Sequence, residues 1–91
     1  MIARHLIVHG RVQGVYYRGW TVETACALGV TGWVRNLVSG EVEILACGEP
    51  DPVRALIERC WIGPRAAAVS HIEIEDVPPE PHDTFEQRPT R

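Results

Sequence analysis

The chain has 91 residues, 45% of them hydrophobic and 23% charged, which fits one globular domain over residues 1–91. No apolar run approaches the roughly 20 residues that a membrane span needs, and the N-terminus lacks a secretory signal, so a cytoplasmic location is predicted. The formal net charge of −3 argues against nucleic acid or an acidic membrane as a partner.

The first predicted element is a β-strand over residues 2–9, a segment rich in apolar and β-branched side chains. The segment Gly10–Tyr17, which contains two glycines, follows as a loop. A helix is predicted from about Arg18 to Leu28, with Gly29 as its C-terminal glycine. This part of the chain therefore has the order strand, loop, helix.

A β-hairpin and a second helix are predicted next. Residues 30–37 and 41–47 form its strands around a turn at residues 38–40, and the alternation of the second strand predicts one covered face. The second helix begins at Pro50 and ends before Gly63. Its buried side is marked by an apolar stripe with the spacing i, i+3, i+4, i+7: Val53, Leu56, Ile57 and Cys60.

Two more strands complete the predicted order, an alternating one over residues 69–77 and a short one over residues 84–88. The order β-α-β-β-α-β with right-handed crossovers predicts an α+β fold, a ferredoxin-like sandwich of one mixed, largely antiparallel sheet with two helices on one face and a short fifth strand. In that fold the first two strands run parallel with the third between them. The loop and Asn36 then lie at the same sheet edge, about 10 Å apart.

The three cysteines have no close spacing, which argues against a disulfide framework and fits a reducing compartment. Each of them is predicted to be a small buried hydrophobe rather than a redox group. They are Cys26, Cys47 and Cys60.

The loop has the features of an anion site. Its glycines allow successive backbone N–H groups to form a concave nest, and the helix that follows directs its positive N-terminus at the same point. Arg18, in the first turn of that helix, carries planar donors that match two phosphate oxygens. The segment is not a P-loop, because no Gly-Lys-Ser/Thr follows.

The segments GRVQGVYYR and GWVRNLVSGEVEILACG resemble the two signatures of the acylphosphatase family, small enzymes that hydrolyse carboxyl–phosphate anhydrides. The tail TFEQRPT resembles the usual ending of that family, although Gln87 replaces an often apolar residue and Gly19 is less usual. The matching positions cover most of the chain: Gly10, Arg11, Val12, Gln13, Gly14, Val15, Arg18, Gly32, Trp33, Val34, Asn36, Gly40, Val42 and Gly48.

The resemblance implies a hydrolase for acyl phosphates that releases a carboxylate and inorganic phosphate. Arg18 would hold the phosphoryl group and Asn36 would orient the attacking water. The implied enzyme is a monomer and needs no metal or cofactor. The implied phosphate-binding loop consists of Gly10, Arg11, Val12, Gln13, Gly14, Val15, Tyr16 and Tyr17.

One alternative of a different class stays open. Similar domains occur within larger proteins that handle carbamoyl phosphate, so the chain could instead be a non-catalytic, phosphate-binding accessory module. An RNA-binding role is disfavoured, because the basic aromatic motif of RNA-recognition domains is absent and the net charge is negative. Turnover of an acyl phosphate separates the enzyme from the module.

Overall fold

The computed structural model describes all 91 residues, and two helices pack on one face of a five-stranded sheet. This arrangement confirms the predicted ferredoxin-like fold class. In chain order the elements are β1 (Ile2–Arg11), α1 (Tyr17–Leu28), β2 (Thr31–Asn36), β3 (Val42–Gly48), α2 (Pro50–Cys60), β4 (Ala68–Val77) and β5 (Phe85–Gln87).

The sheet has the strand order β4-β1-β3-β2-β5. β3 pairs antiparallel with both β1 and β2, so β1 and β2 run parallel with β3 between them, as predicted. β4 pairs antiparallel with β1, and β5 pairs parallel with β2. The ends of β1 and β2 therefore reach the same edge of the sheet. The two helices have 12 and 11 residues, whereas a membrane-spanning helix needs about 20.

The main core lies between the sheet and the helices. Alternation along the strands places Leu6, Val8 and Ile44 on the covered face, where all three are fully buried. The α2 stripe contributes Val53 and Leu56, also fully buried. Burial of these apolar side chains is the main favourable contribution to folding, at roughly 25 cal/mol per Å² of apolar surface.

The N-terminal elements differ in their bounds from the prediction. β1 continues two residues beyond residue 9, because Gly10 and Arg11 pair with Val69 and Ala68 after a register shift. Gly10 has a φ of +121°, and a Cβ there would lie 2.2 Å from the carbonyl oxygen of Ala68. Glycine is thus required at this position by the close approach of β4, and the connection to α1 is shortened to residues 12–16.

The opposite face of the sheet carries a second, smaller apolar cluster. Trp33 is buried there with Ala3, Leu45 and Cys47, although alternation along β3 predicted a single covered face. The Arg35 and Arg88 guanidinium carbons lie 4.5 and 5.1 Å from the Trp33 ring centroid. Cation–π contacts of this kind allow two charged side chains to cover the indole ring. This region consists of six residues: Ala3, Trp33, Arg35, Leu45, Cys47 and Arg88.

The cysteine prediction is right for two positions and wrong for one. Cys47 and Cys60 are fully buried, whereas Cys26 is exposed on α1. Burial raises the pKa of Cys60 to about 12, so its thiol stays protonated and unreactive at neutral pH. The misplaced Cys26 follows from the helix period, which turns that residue outward while its neighbour Ala25 enters the core.

Candidate active site

The loop between β1 and α1, residues 12–16, has the backbone form of an anion nest. Gly14 and Tyr16 adopt left-handed conformations, with φ of 74° and 68°. The amides of Gly14, Val15 and Tyr16 donate to no backbone or side-chain acceptor within the chain. Unpaired amides gathered in one concave loop provide donors for an anion.

The N-terminus of α1 adds further free donors to this loop. The first hydrogen bond of the helix runs from the Trp20 amide to the Tyr16 carbonyl, at 3.0 Å. No side chain caps the helix, and its first turn holds no acidic residue. The amides of the first turn therefore face outward with about half a unit of positive charge, which favours a bound anion.

A pocket of about 230 Å³ opens between this loop, the first turn of α1 and the ends of β2 and β5. Arg18 is the one charged residue in its lining, and its half-buried guanidinium forms no ion pair. With no carboxylate in the lining, the pocket favours anions. The lining residues are Val12, Gly14, Tyr16, Tyr17, Arg18, Gly19, Asn36 and Gln87.

Asn36 is the last residue of β2 and faces the same pocket. Its side-chain oxygen Oδ1 is buried and has no hydrogen-bond partner within the chain. Its backbone carbonyl accepts from the Arg91 amide at 3.0 Å, which ties the end of β2 to the C-terminal tail. A buried acceptor without a partner is costly, so this atom is suited to a bound water or ligand.

Comparison with known proteins decides the family. A family model described as acylphosphatase matches residues 4–87. The chain belongs to the acylphosphatase family. Hydrolysis of acyl phosphates is the general activity that this membership supports.

The similarity extends over nearly the whole length of single-domain relatives. The chain is 51% identical to an acylphosphatase from Acidovorax sp. (strain JS42) over 89 residues, covering 98% of this chain and 92% of the relative. The solved structure of an acylphosphatase from Coxiella burnetii superposes with a TM-score of 0.93 at 42% identity, covering 96% of this chain and 92% of the other.

A much larger protein contains a domain of the same shape. Full-length HypF, solved in a phosphate- and nucleotide-bound form, matches with a TM-score of 0.90 at 25% identity. The match covers 98% of this chain but 12% of HypF.

Several residues of the implied phosphate loop lie outside the pocket. Gly10 and Arg11 belong to β1, and Val15 packs against the main core. The Gln13 side chain turns towards the β2–β3 hairpin, where its Nε2 donates to the carbonyls of Leu37 and Glu41, both at 2.8 Å. Gln13 thus links the loop to the hairpin that carries Asn36. Its side chain does not line the pocket.

Tyr17 is another residue of the implied loop, and its side chain packs in the core. Its ring is buried in the main core, and its hydroxyl donates to the carbonyl oxygen of Cys60 at 2.6 Å. Burial raises the pKa of this phenol far above its ordinary value, so it stays protonated. Tyr17 borders the pocket while its ring joins the start of α1 to the end of α2.

Sequence reasoning missed two residues of the pocket, Gly19 and Gln87. Gly19 leaves room for the Tyr16 ring, because a Cβ there would lie 2.3 Å from the ring atom Cε1. Gln87 reaches the pocket through the parallel pairing of β5 with β2, where it lies opposite Val34. The parallel register between distant segments leaves no local signal in the sequence. The replacement of an often apolar residue by Gln87 was visible in the sequence, but it did not indicate a place in the pocket.

Proposed function

We propose that the chain hydrolyses acyl phosphates by in-line attack of a water molecule that Asn36 positions on a phosphoryl group held by Arg18 and the loop. The observation that carries this proposal is the meeting of three unpaired groups in one pocket. They are the free amides of the loop and first helical turn, the guanidinium of Arg18 and the orphaned Oδ1 of Asn36.

Arg18 and the amides bind the phosphoryl oxygens. The guanidinium offers donors in a planar fork that fits two of these oxygens, and the amides bind the others. As the bond to the leaving group lengthens, negative charge spreads over the phosphoryl group and its two apical oxygens. Fixed donors that are already oriented stabilise that charge without reorganisation, which lowers the barrier.

Asn36 holds the attacking water. Its Oδ1 accepts a hydrogen bond from the water, and this leaves an oxygen lone pair free to attack phosphorus. The water oxygen forms a bond to phosphorus, the bond from phosphorus to the acyl oxygen breaks, and the carboxylate leaves with its electron pair. The water proton passes to a phosphoryl oxygen of the substrate. A carboxylate is a good leaving group, so positioning and charge stabilisation suffice without a strong general acid.

We further propose that the reaction needs no metal ion, since Arg18 and the helix N-terminus supply positive charge that a cation would otherwise bring. We also propose that the enzyme acts as a monomer in the cytoplasm and binds no nucleic acid. Gel filtration of the purified chain tests the first of these statements.

A second candidate function is a phosphate-binding accessory module. The match to HypF favours it, because there a domain of this shape makes up 12% of a larger chain. The two functions differ in turnover. Release of inorganic phosphate from acetyl phosphate supports the enzyme, and phosphate binding without turnover supports the module.

The variant Arg18→Ala tests the proposal. We expect kcat/KM for acetyl phosphate to fall on the order of a hundredfold or more, and inhibition by inorganic phosphate to weaken, since one charged clamp serves substrate and product. The matched control is Arg65→Ala, an exposed arginine without an ion pair, which should behave as wild type. Assays in the presence of a chelator test the metal-free mechanism, and we expect the activity to stay unchanged. Normal phosphate inhibition in Arg18→Ala would contradict the assignment.

A further inference from the structure

Gln87 is the last residue of β5 and lines the pocket with Arg18 and Asn36. It lies opposite Val34 in the parallel pairing with β2, so it faces the side of the sheet that carries the helices. Val34 is fully buried on that face, and Asn36 follows two residues later on the same face. The Gln87 side chain itself is exposed and makes no hydrogen bond within the chain.

The two amide side chains lie within reach of one small molecule. Neighbouring strands are about 4.8 Å apart and each residue advances about 3.3 Å, so the Cα atoms of Gln87 and Asn36 are separated by roughly 8 Å. Asn36 presents a buried acceptor without a donor, and Gln87 brings a free amide donor into the same cavity. A water between them satisfies both, as waters commonly do between polar groups that do not touch.

We propose that Gln87 is a second water-positioning residue, which acts with Asn36 on the attacking water; this inference rests on the proposed function. The Gln87 Nε2 donates a hydrogen bond to one lone pair of the water, and Asn36 Oδ1 accepts a hydrogen bond from one of its O–H groups. The second proton points at a phosphoryl oxygen, and the second lone pair points at phosphorus. All four tetrahedral positions of the water are then occupied, and a single lone pair is left for the attack.

The chemical balance is that of the proposed hydrolysis. The bond from water oxygen to phosphorus forms, the bond from phosphorus to the acyl oxygen breaks, and the carboxylate departs with the electron pair. The proton moves to the phosphoryl oxygen that faces the water. Gln87 gains and loses nothing, so its contribution lies in the orientation of the nucleophile.

The variant Gln87→Met removes the amide and keeps the length of the side chain. We expect kcat for acetyl phosphate to fall about fivefold, the worth of one net hydrogen bond, with KM and the inhibition constant of inorganic phosphate within about twofold of wild type. If Gln87 only supported the structure of the pocket, kcat would not fall while KM and the inhibition constant stayed unchanged. The control is Glu86→Gln, an exposed neighbour on the other face of β5 whose carboxylate pairs with Arg88. It should leave kcat, KM and the inhibition constant unchanged.

A double variant with Asn36→Ala decides between a shared water and separate roles. If both side chains hold the same water, adding Gln87→Met to Asn36→Ala lowers kcat no further. Full additivity of the two losses, or a wild-type kcat in Gln87→Met alone, overturns the inference. If Asn36→Ala keeps normal turnover, the proposed function fails as well; if only Gln87→Met does so, the proposed function stands without this addition.

Discussion

At the scale of single residues, the contact between Tyr16 and Gly19 shapes the rim of the pocket. Tyr16 is 62% exposed and has a left-handed backbone conformation, and its hydroxyl donates to Glu23, two turns further along α1. Its ring lies across the first turn of the helix, where Gly19 has no side chain. The glycine that weakens the helix therefore makes room for an aromatic wall of the site.

The variant Gly19→Ala tests this contact through stability. In a Tyr16→Ala background, the alanine should raise the free energy of unfolding by roughly 0.5–1 kcal/mol, the usual gain over glycine in a helix. In the wild-type background the gain should be smaller or reversed, since the added methyl group displaces the ring from Glu23. Urea denaturation of the four proteins measures the difference. Equal gains in both backgrounds would show that the ring does not depend on Gly19.

At the scale of elements, polar contacts on the open face of the sheet hold three strands together. Glu43 of β3 bonds to Arg35 of β2 at 2.5 Å and to His5 of β1 at 2.7 Å. Burial alone would raise the pKa of Glu43, but the hydrogen bonds from His5 and Arg35 outweigh it and hold this pKa below its ordinary value. Arg35 immediately precedes Asn36, so the network also supports the strand end that bears the site.

The lowered pKa of Glu43 predicts how stability depends on acid. A carboxyl group whose folded-state pKa lies below its unfolded value stabilises the protein above that unfolded value, about 4.3, and loses its contribution as pH falls through the folded value. Glu43→Gln should therefore be less stable than wild type at pH 7, and the gap should narrow below about pH 4. Urea denaturation across this range measures it, with the exposed, unpaired Glu58→Gln as control. A stability difference between Glu43→Gln and wild type that does not change with pH would contradict a stabilising role for the Glu43 carboxylate.

Local patterns predicted the type and order of the elements, and the errors lie where distant segments meet. Strands repeat their apolar residues with a period of two and helices with a period of 3.6. Both patterns can be read from residues close together in the sequence, so all seven elements were predicted. Gly10 was placed in the loop because its pairing with β4 joins residues almost 60 positions apart. The final strand is shorter than predicted, Phe85–Gln87, because its length depends on the register with β2.

At the scale of the whole molecule, the fold brings groups from three distant segments to a single pocket. The amides and Arg18 follow β1, Asn36 ends β2, and Gln87 ends β5. Arg18 and Asn36 were predicted from motifs together with the parallel order of two strands. The inward position of Gln87 and the outward turn of Gln13 were not, since both depend on contacts across the sheet.

In the proposed mechanism, substrate binding and water positioning are separate tasks of separate residues. The most direct test is to measure kcat for acetyl phosphate and the inhibition constant of inorganic phosphate side by side in Asn36→Ala. We predict a fall in kcat on the order of a hundredfold, with the phosphate inhibition constant within about twofold of wild type. Near-normal turnover, or a loss of phosphate binding as large as the loss of turnover, would show that Asn36 does not act on the water alone.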